Sequence, residues 1–209
     1  GRTCQGARLC KSFVSINTHN NPVIQDGINT QFRCYAASQE VMYTALYKKR
    51  KYNLDLLIDS LNFKKHTFNS IDLINKSLSK YLTKSIKKVR IHDSGDFFSG
   101  EYLRSWLAVA RLNPDIKFYC YSKSLNLFGS NVSIPDNFYL TASMGGKYDY
   151  LIHKGYFKRY AIVVNSVNEA YSLGILHRNK PYVIDKDDSS CLKDEPFALL
   201  LHGTQPKGS

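Results

Sequence analysis

Apolar positions along this chain recur first with a helical period and then with the shorter period of strands, and the change falls near residue 88. From Ser38 onward, Val41, Ala45 and Leu46 recur near helical spacing as far as Lys48-Lys49-Arg50-Lys51. This predicts a helix capped by Ser38 whose negative end the basic run would suit. A second helix is predicted over residues 54–61. A third begins after Asn69 or Ser70, with Ile71, Ile74, Leu78 and Leu82 on one stripe.

Beyond these, Val89-Arg90-Ile91-His92 alternates as a strand and runs into Asp93-Ser94-Gly95-Asp96, where Gly95 permits a tight turn. Ser99 is a suitable cap for the next helix, with Glu101 in its first turn. Tyr102, Leu103, Trp106, Leu107 and Ala110 form its buried stripe until Asn113-Pro114 stops it. Residues 117–122 then read as a second strand. Strand, helix and strand together have the length of a right-handed βαβ unit, about 30 residues. The pattern repeats more weakly, with strands predicted over 137–143, 160–165, 182–184 and 197–202 and a helix over 167–176. The expected fold is α/β, built of parallel β/α units and curled into an incomplete (β/α) barrel. Residues 1–37 have little periodicity, and the polar stretch from Asn17 to Pro22 reads as a loop. The reading is one domain, 1–209, opened by an irregular cysteine-bearing segment, 1–37.

Composition changes the picture in two ways. Lys and Arg outnumber Asp and Glu by 29 to 17, a formal charge of +12, so DNA or RNA is the first partner to consider, although charge alone does not define a binding face. The five cysteines are an odd number in a chain of 209 residues, which needs no staples. No apolar run approaches the roughly 18 residues of a membrane span, and Gly1-Arg2-Thr3-Cys4 lacks a secretory signal pattern. A reducing, cytoplasmic setting without a membrane is expected.

Candidate chemistry gathers at the predicted carboxyl ends of strands, where α/β folds place their ligands. His92, Asp93 and Asp96 can bind a cation or move a proton, and Ser94 and Gly95 can let a ligand approach the backbone; a polar turn capping the next helix is the plainer alternative. Lys123, after the second strand, could hold an anion beside them, and His202 could point into the same mouth. Cys4, Cys10, Cys34 and Cys191 fit no standard finger or ferredoxin spacing. Thiolates nevertheless suit an iron–sulfur cluster or zinc, and such a group would order the opening segment. Cys120 lies inside an apolar strand and reads as a small core hydrophobe.

The run from Arg90 to Ser99, then Tyr102-Leu103 and Trp106, then Phe118 to Ser124, resembles the gene product 88-like family of phages and mobile elements. Members of that family are largely uncharacterised proteins with scattered cysteines. The resemblance extends to Thr3-Cys4-Gln5-Gly6-Ala7 with Cys10, to Cys34-Tyr35-Ala36, and to Cys191 followed by His202. Gln5 stands where the family has proline, a long excursion separates Cys10 from Cys34, and the tail keeps one cysteine where relatives show more. The resemblance implies four matching cysteines, enough for a four-thiolate 4Fe-4S site, with zinc as the alternative. The opening cysteines and parallel β/α units are also similar to radical S-adenosylmethionine enzymes, without their close cysteine spacing. Three functions follow as expectations. The first is a phage-type iron–sulfur protein of the host cytoplasm, its strand-end site near the cluster and near nucleic acid. The others are a metal-dependent nucleic-acid enzyme using Asp93, Asp96 and Glu101, and a non-catalytic binder of nucleic acid or a host protein.

Overall fold

The computed structural model describes residues 3–61 and 69–201. Five parallel strands form one sheet in the order of the chain: β3 (Lys88–Ile91), β4 (Lys117–Ser122), β5 (Phe138–Ser143), β6 (Tyr160–Val164) and β7 (Phe197–Leu200). This sheet curls into a half-barrel flanked by helices. Sequential order with parallel pairing requires each connection to cross back in the same sense, which is how β/α barrels are wound. A parallel bridge from Ile184 to Ala198 extends pairing beyond β7. Residues 182–184, read as a strand, supply only this bridge.

Two of the helices show how an apolar stripe and a cap set them where predicted. Asn69 caps α3 (Ser70–Ser79), its side chain accepting from the Ile71 N–H at 3.1 Å. Ser99 caps α4 (Gly100–Leu112) by accepting from the Tyr102 N–H at 3.1 Å. Each cap satisfies an N–H that the first turn leaves without an intrahelical partner. Buried Leu103, Leu107 and Ala110 of α4 pack on Ile91, Phe118, Cys120 and Phe138, which share one face of the sheet. Cys120 is fully buried in this cluster. The opposite face carries Arg90, Tyr119 and Tyr121, whose in-register partners include Tyr139 and Thr141.

Four departures from the sequence reading stand out. The first helix, α1 (Tyr35–Met42), is preceded by Cys34 as cap residue, not by Ser38, and breaks at Tyr43 before α2 (Thr44–Leu61). The basic run therefore lies inside α2 and not at a helix end. The Lys51–Asp55 pair one turn on, at 2.8 Å, helps the helix continue. In the opening segment, β1 (Ser12–Ile16) and β2 (Pro22–Asp26) pair as an antiparallel hairpin. Asn17 stabilises its tip by accepting from the N–H groups of His19 and Asn21. Two helices follow sheet strands later in the chain, α5 (Asp149–His153) and α6 (Val167–Arg178). The first of these was not foreseen.

Candidate functional site

The segment from Thr3 to Lys11 lies across the carboxyl ends of β3, β4 and β5, and backbone contacts hold it there. Ala7 bridges to Gly146, Arg8 and Leu9 donate to the Gly145 carbonyl, and Lys147 donates to the Gly6 carbonyl at 2.8 Å. Asp149 receives the Gly145 and Gly146 N–H groups, both at 2.9 Å, and so shapes the loop after β5. A side chain at Gly6 would collide with the Lys123 carbonyl, so only glycine lets the two backbones meet. Gly95, with φ of +91°, plays the same part at β3, where an added Cβ would lie 2.6 Å from the Thr3 hydroxyl. Its freedom admits the chain's own opening segment.

Asp96 is the centre of this junction. Its Oδ1 accepts from the Phe97 N–H at 2.8 Å and the Ser122 hydroxyl at 2.7 Å. Its Oδ2 accepts from the N–H groups of Lys123 at 2.8 Å and Ser124 at 3.1 Å. Burial pushes the carboxyl above its usual range, and its hydrogen bonds to Ser122, Lys123, Phe97 and Ser124 offset only part of that rise. A carboxylate has about four acceptor directions. All are used by the protein, so Asp96 ties β3 to β4. Lys123 is similarly committed, its ammonium donating to the Ser143 carbonyl, to the Ser143 hydroxyl at 2.7 Å and to the Met144 carbonyl.

The other predicted residues of the β3 loop separate. Asp93 faces solvent, accepts from Arg50 of α2 at 2.8 Å, and offers its carbonyl to the Tyr35 hydroxyl. His92 has a left-handed backbone, φ 66°, and turns inward, where its Nε2 lies 3.0 Å from the Tyr102 hydroxyl and its Nδ1 has no hydrogen-bond partner among the described residues. Burial lowers its pKa to about 4, so the ring is neutral at physiological pH. Ser94 lines a cavity beneath α2 together with Cys34, His92 and Asp93. Glu101 pairs with Arg104 on the exposed surface of α4. Asp93, Asp96 and Glu101 are thus each engaged with a different part of the protein. His202 lies outside the described residues.

All five cysteines are free thiols. Cys4, Cys10 and Cys34 come within electrostatic reach of one another: burial pushes the Cys4 thiol up to about 11, and Asp96, Cys34 and Cys10 push it the same way. Burial also raises the Cys10 thiol, while Lys123 pulls it down and Cys34 adds to the rise. Cys191 lies elsewhere. It is buried, its sulfur donates to the Asp188 carbonyl at 2.7 Å, and its charged neighbours are Asp188, Lys88, Asp185 and Arg159. Asp188 in turn meets Arg90, Tyr119 and Tyr121, which puts Cys191 on the inner face of the sheet, and none of Cys4, Cys10 and Cys34 is among its electrostatic neighbours. Among the described residues, no three His, Cys, Asp or Glu side chains are grouped closely enough to hold a single metal ion.

Several residues that organise this region carried no assigned role in the sequence reading. Thr3, Gly6 and Gly145-Gly146 with Asp149 anchor the opening segment. Asp188, at φ 59°, collects Arg90, Tyr119 and Tyr121 on the inner face of the sheet. The run Gly145-Gly146 followed by Asp149 was the available signal, since paired glycines and a nearby acid mark a tight loop with free N–H groups. Asp188 lies in a run of charged residues and carried none.

A family model described as gene product 88 matches residues 1–209. The chain is 30% identical to the Gene 88 protein of Mycobacterium phage L5 over 95 residues, 43% of this chain and 38% of that protein. It is 28% identical to the Gene 88 protein of Mycobacterium phage D29 over the same share of each. The matched stretch thus spans less than half the length of these curated relatives. No solved structure matches the chain significantly. Among the described residues, no helix is long and apolar enough to cross a membrane.

Proposed function

This chain belongs to the gene product 88 family, and we propose that it binds an iron–sulfur cluster through Cys4, Cys10 and Cys34 at the carboxyl ends of its half-barrel strands. The observation that carries this reading is the convergence of three thiols, from two separate stretches of chain, at the end of the sheet where α/β folds gather ligands. A single zinc ion fits less well. Its four ligands are drawn in by bonds of about 2.3 Å to sulfur, and these thiols are not gathered that closely. A cluster takes each thiolate on a separate iron and so accepts a wider set.

With three protein thiolates, such a cluster would supply electron-transfer chemistry and one iron open to an outside ligand. The chain's own residues would do the rest. Gly6 and Gly146 fix the segment bearing Cys4 and Cys10, Asp96 locks β3 to β4 beneath it, and Lys123 keeps a positive charge near Cys10. A reducing compartment such as the host cytoplasm would keep the thiols available.

The alternative of a magnesium-dependent nuclease draws little support, because Asp96 has no acceptor direction free and Asp93 is paired with Arg50. The test is the visible spectrum of protein purified without oxygen, compared with Cys34→Ala and Cys191→Ala. The reading expects a broad absorption near about 400 nm, typical of thiolate-bound clusters, lost in Cys34→Ala and kept in Cys191→Ala. Colourless wild-type protein would overturn it.

A further inference from the structure

From Leu73 to His92 the chain carries five lysines and one arginine and no Asp or Glu. This stretch leaves α3 and enters β3 at Lys88, so its later lysines gather at the amino end of the sheet, away from the thiols. Lys84, Lys87 and Lys88 lie within five residues, and Lys117, the first residue of β4, stands in register beside Lys88. All four are exposed, and none makes an ion pair among the described residues. Like charges directly opposite on neighbouring strands repel. Against them stand Asp115 and Asp136, each two residues ahead of its strand, and Asp187, within electrostatic reach of Lys88; none of these lies within ion-pairing distance of a lysine. Tyr81 opens the same run and is 75% exposed. The other basic run, on α2, is more committed: Glu40 and Asp93 hold Arg50, and Asp55 holds Lys51.

We propose that the amino end of β3 and β4 binds single-stranded nucleic acid, with phosphates on Lys84, Lys87, Lys88 and Lys117 and an unpaired base on Tyr81. A phosphate between Lys88 and Lys117 relieves a repulsion that no carboxylate of the protein neutralises. Lysine is a point charge on a flexible stem, suited to a backbone contacted without regard to sequence. Stacking on an exposed aromatic ring is open to every base, because each has a flat π-face, and it requires that the base be unpaired. That requirement favours a single strand over a duplex.

This surface and the thiols lie at opposite ends of the strands, so the inference does not depend on a cluster. Fluorescence anisotropy on the whole chain tests it, using a labelled oligonucleotide of mixed sequence as single strand and as duplex over a series of salt concentrations. The single strand should bind saturably and more tightly than the duplex. Lys88→Gln combined with Lys117→Gln should reduce the slope of log affinity against log salt by about 1.4, at about 0.7 for each phosphate contact on a single strand. Tyr81→Ala should weaken binding by roughly fivefold or more, the scale of one stacked base, and keep the slope. Lys48→Gln combined with Lys49→Gln should leave both unchanged. Every replaced side chain is exposed, which separates loss of binding from loss of fold. An anionic lipid surface would draw on the same charge, so phosphatidylserine vesicles form a further arm. Binding to the vesicles without binding to the single strand, a duplex bound as tightly as the single strand, or a slope that follows Lys48 and Lys49 in place of Lys88 and Lys117 would overturn the proposal.

Discussion

Asp96 and His92 lie four residues apart in one loop, and the protein uses them in opposite ways. Asp96 is 4% exposed and has all its acceptor directions filled. Asp96→Asn keeps its shape but turns two amide hydrogens toward N–H donors. It should cost about 2 to 3 kcal/mol in urea unfolding, the scale for losing charged hydrogen bonds and stranding their donors. His92 carries a pH dependence. Its pKa is near 6.5 in an unfolded chain and about 4 when folded, so between those values the unfolded chain binds more protons. Stability from this group is fully present above about pH 6.5 and is lost as pH falls toward 4, by up to about 3 kcal/mol. Unfolding midpoints measured from pH 7 to 4 should show that slope in the wild type and lack it in His92→Asn, a residue that tolerates left-handed backbone. The sequence located both residues at a strand end. It could not assign their roles, because four residues of loop allow a side chain to turn inward or outward, and burial decides which.

The strand, helix and strand from β3 to β4 were legible in detail because their periodicity, caps and stop signals agree. Ser99, the α4 stripe and Asn113-Pro114 all act as the sequence indicates. The opening hairpin was not legible, since its buried positions include Ser12, a polar residue that hydrophobic patterning ignores. Helix α5 was missed because five residues are too few to display a period. Two glycines give an element-scale test. Gly6→Ala should displace the segment from Thr3 to Lys11, destabilise the protein by about 2 kcal/mol or more, as overpacking does, and expose that segment to limited proteolysis. Gly174→Ala presses on the backbone of Pro181 and Tyr182 instead. It should loosen α6 and leave proteolysis of the opening segment unchanged.

At the scale of the molecule, the half-barrel was expected from the succession of strands, and the positions of its cysteines were not. Four cysteines suggested one four-thiolate site, yet Cys191 lies with Asp188 on the inner face of the sheet while Cys4, Cys10 and Cys34 lie across the carboxyl ends of the strands. No spacing along the chain reports which part of a sheet a distant loop will cover. That division makes the central claim, a metal centre held by three thiols and not four, open to a direct count. The measurement is iron and acid-labile sulfide per chain, after anaerobic purification, in single alanine variants of Cys4, Cys10, Cys34 and Cys191. The account predicts near-complete loss of iron and sulfide in the first three and retention in Cys191→Ala. Equal loss in all four, or no iron in the wild type, would contradict it.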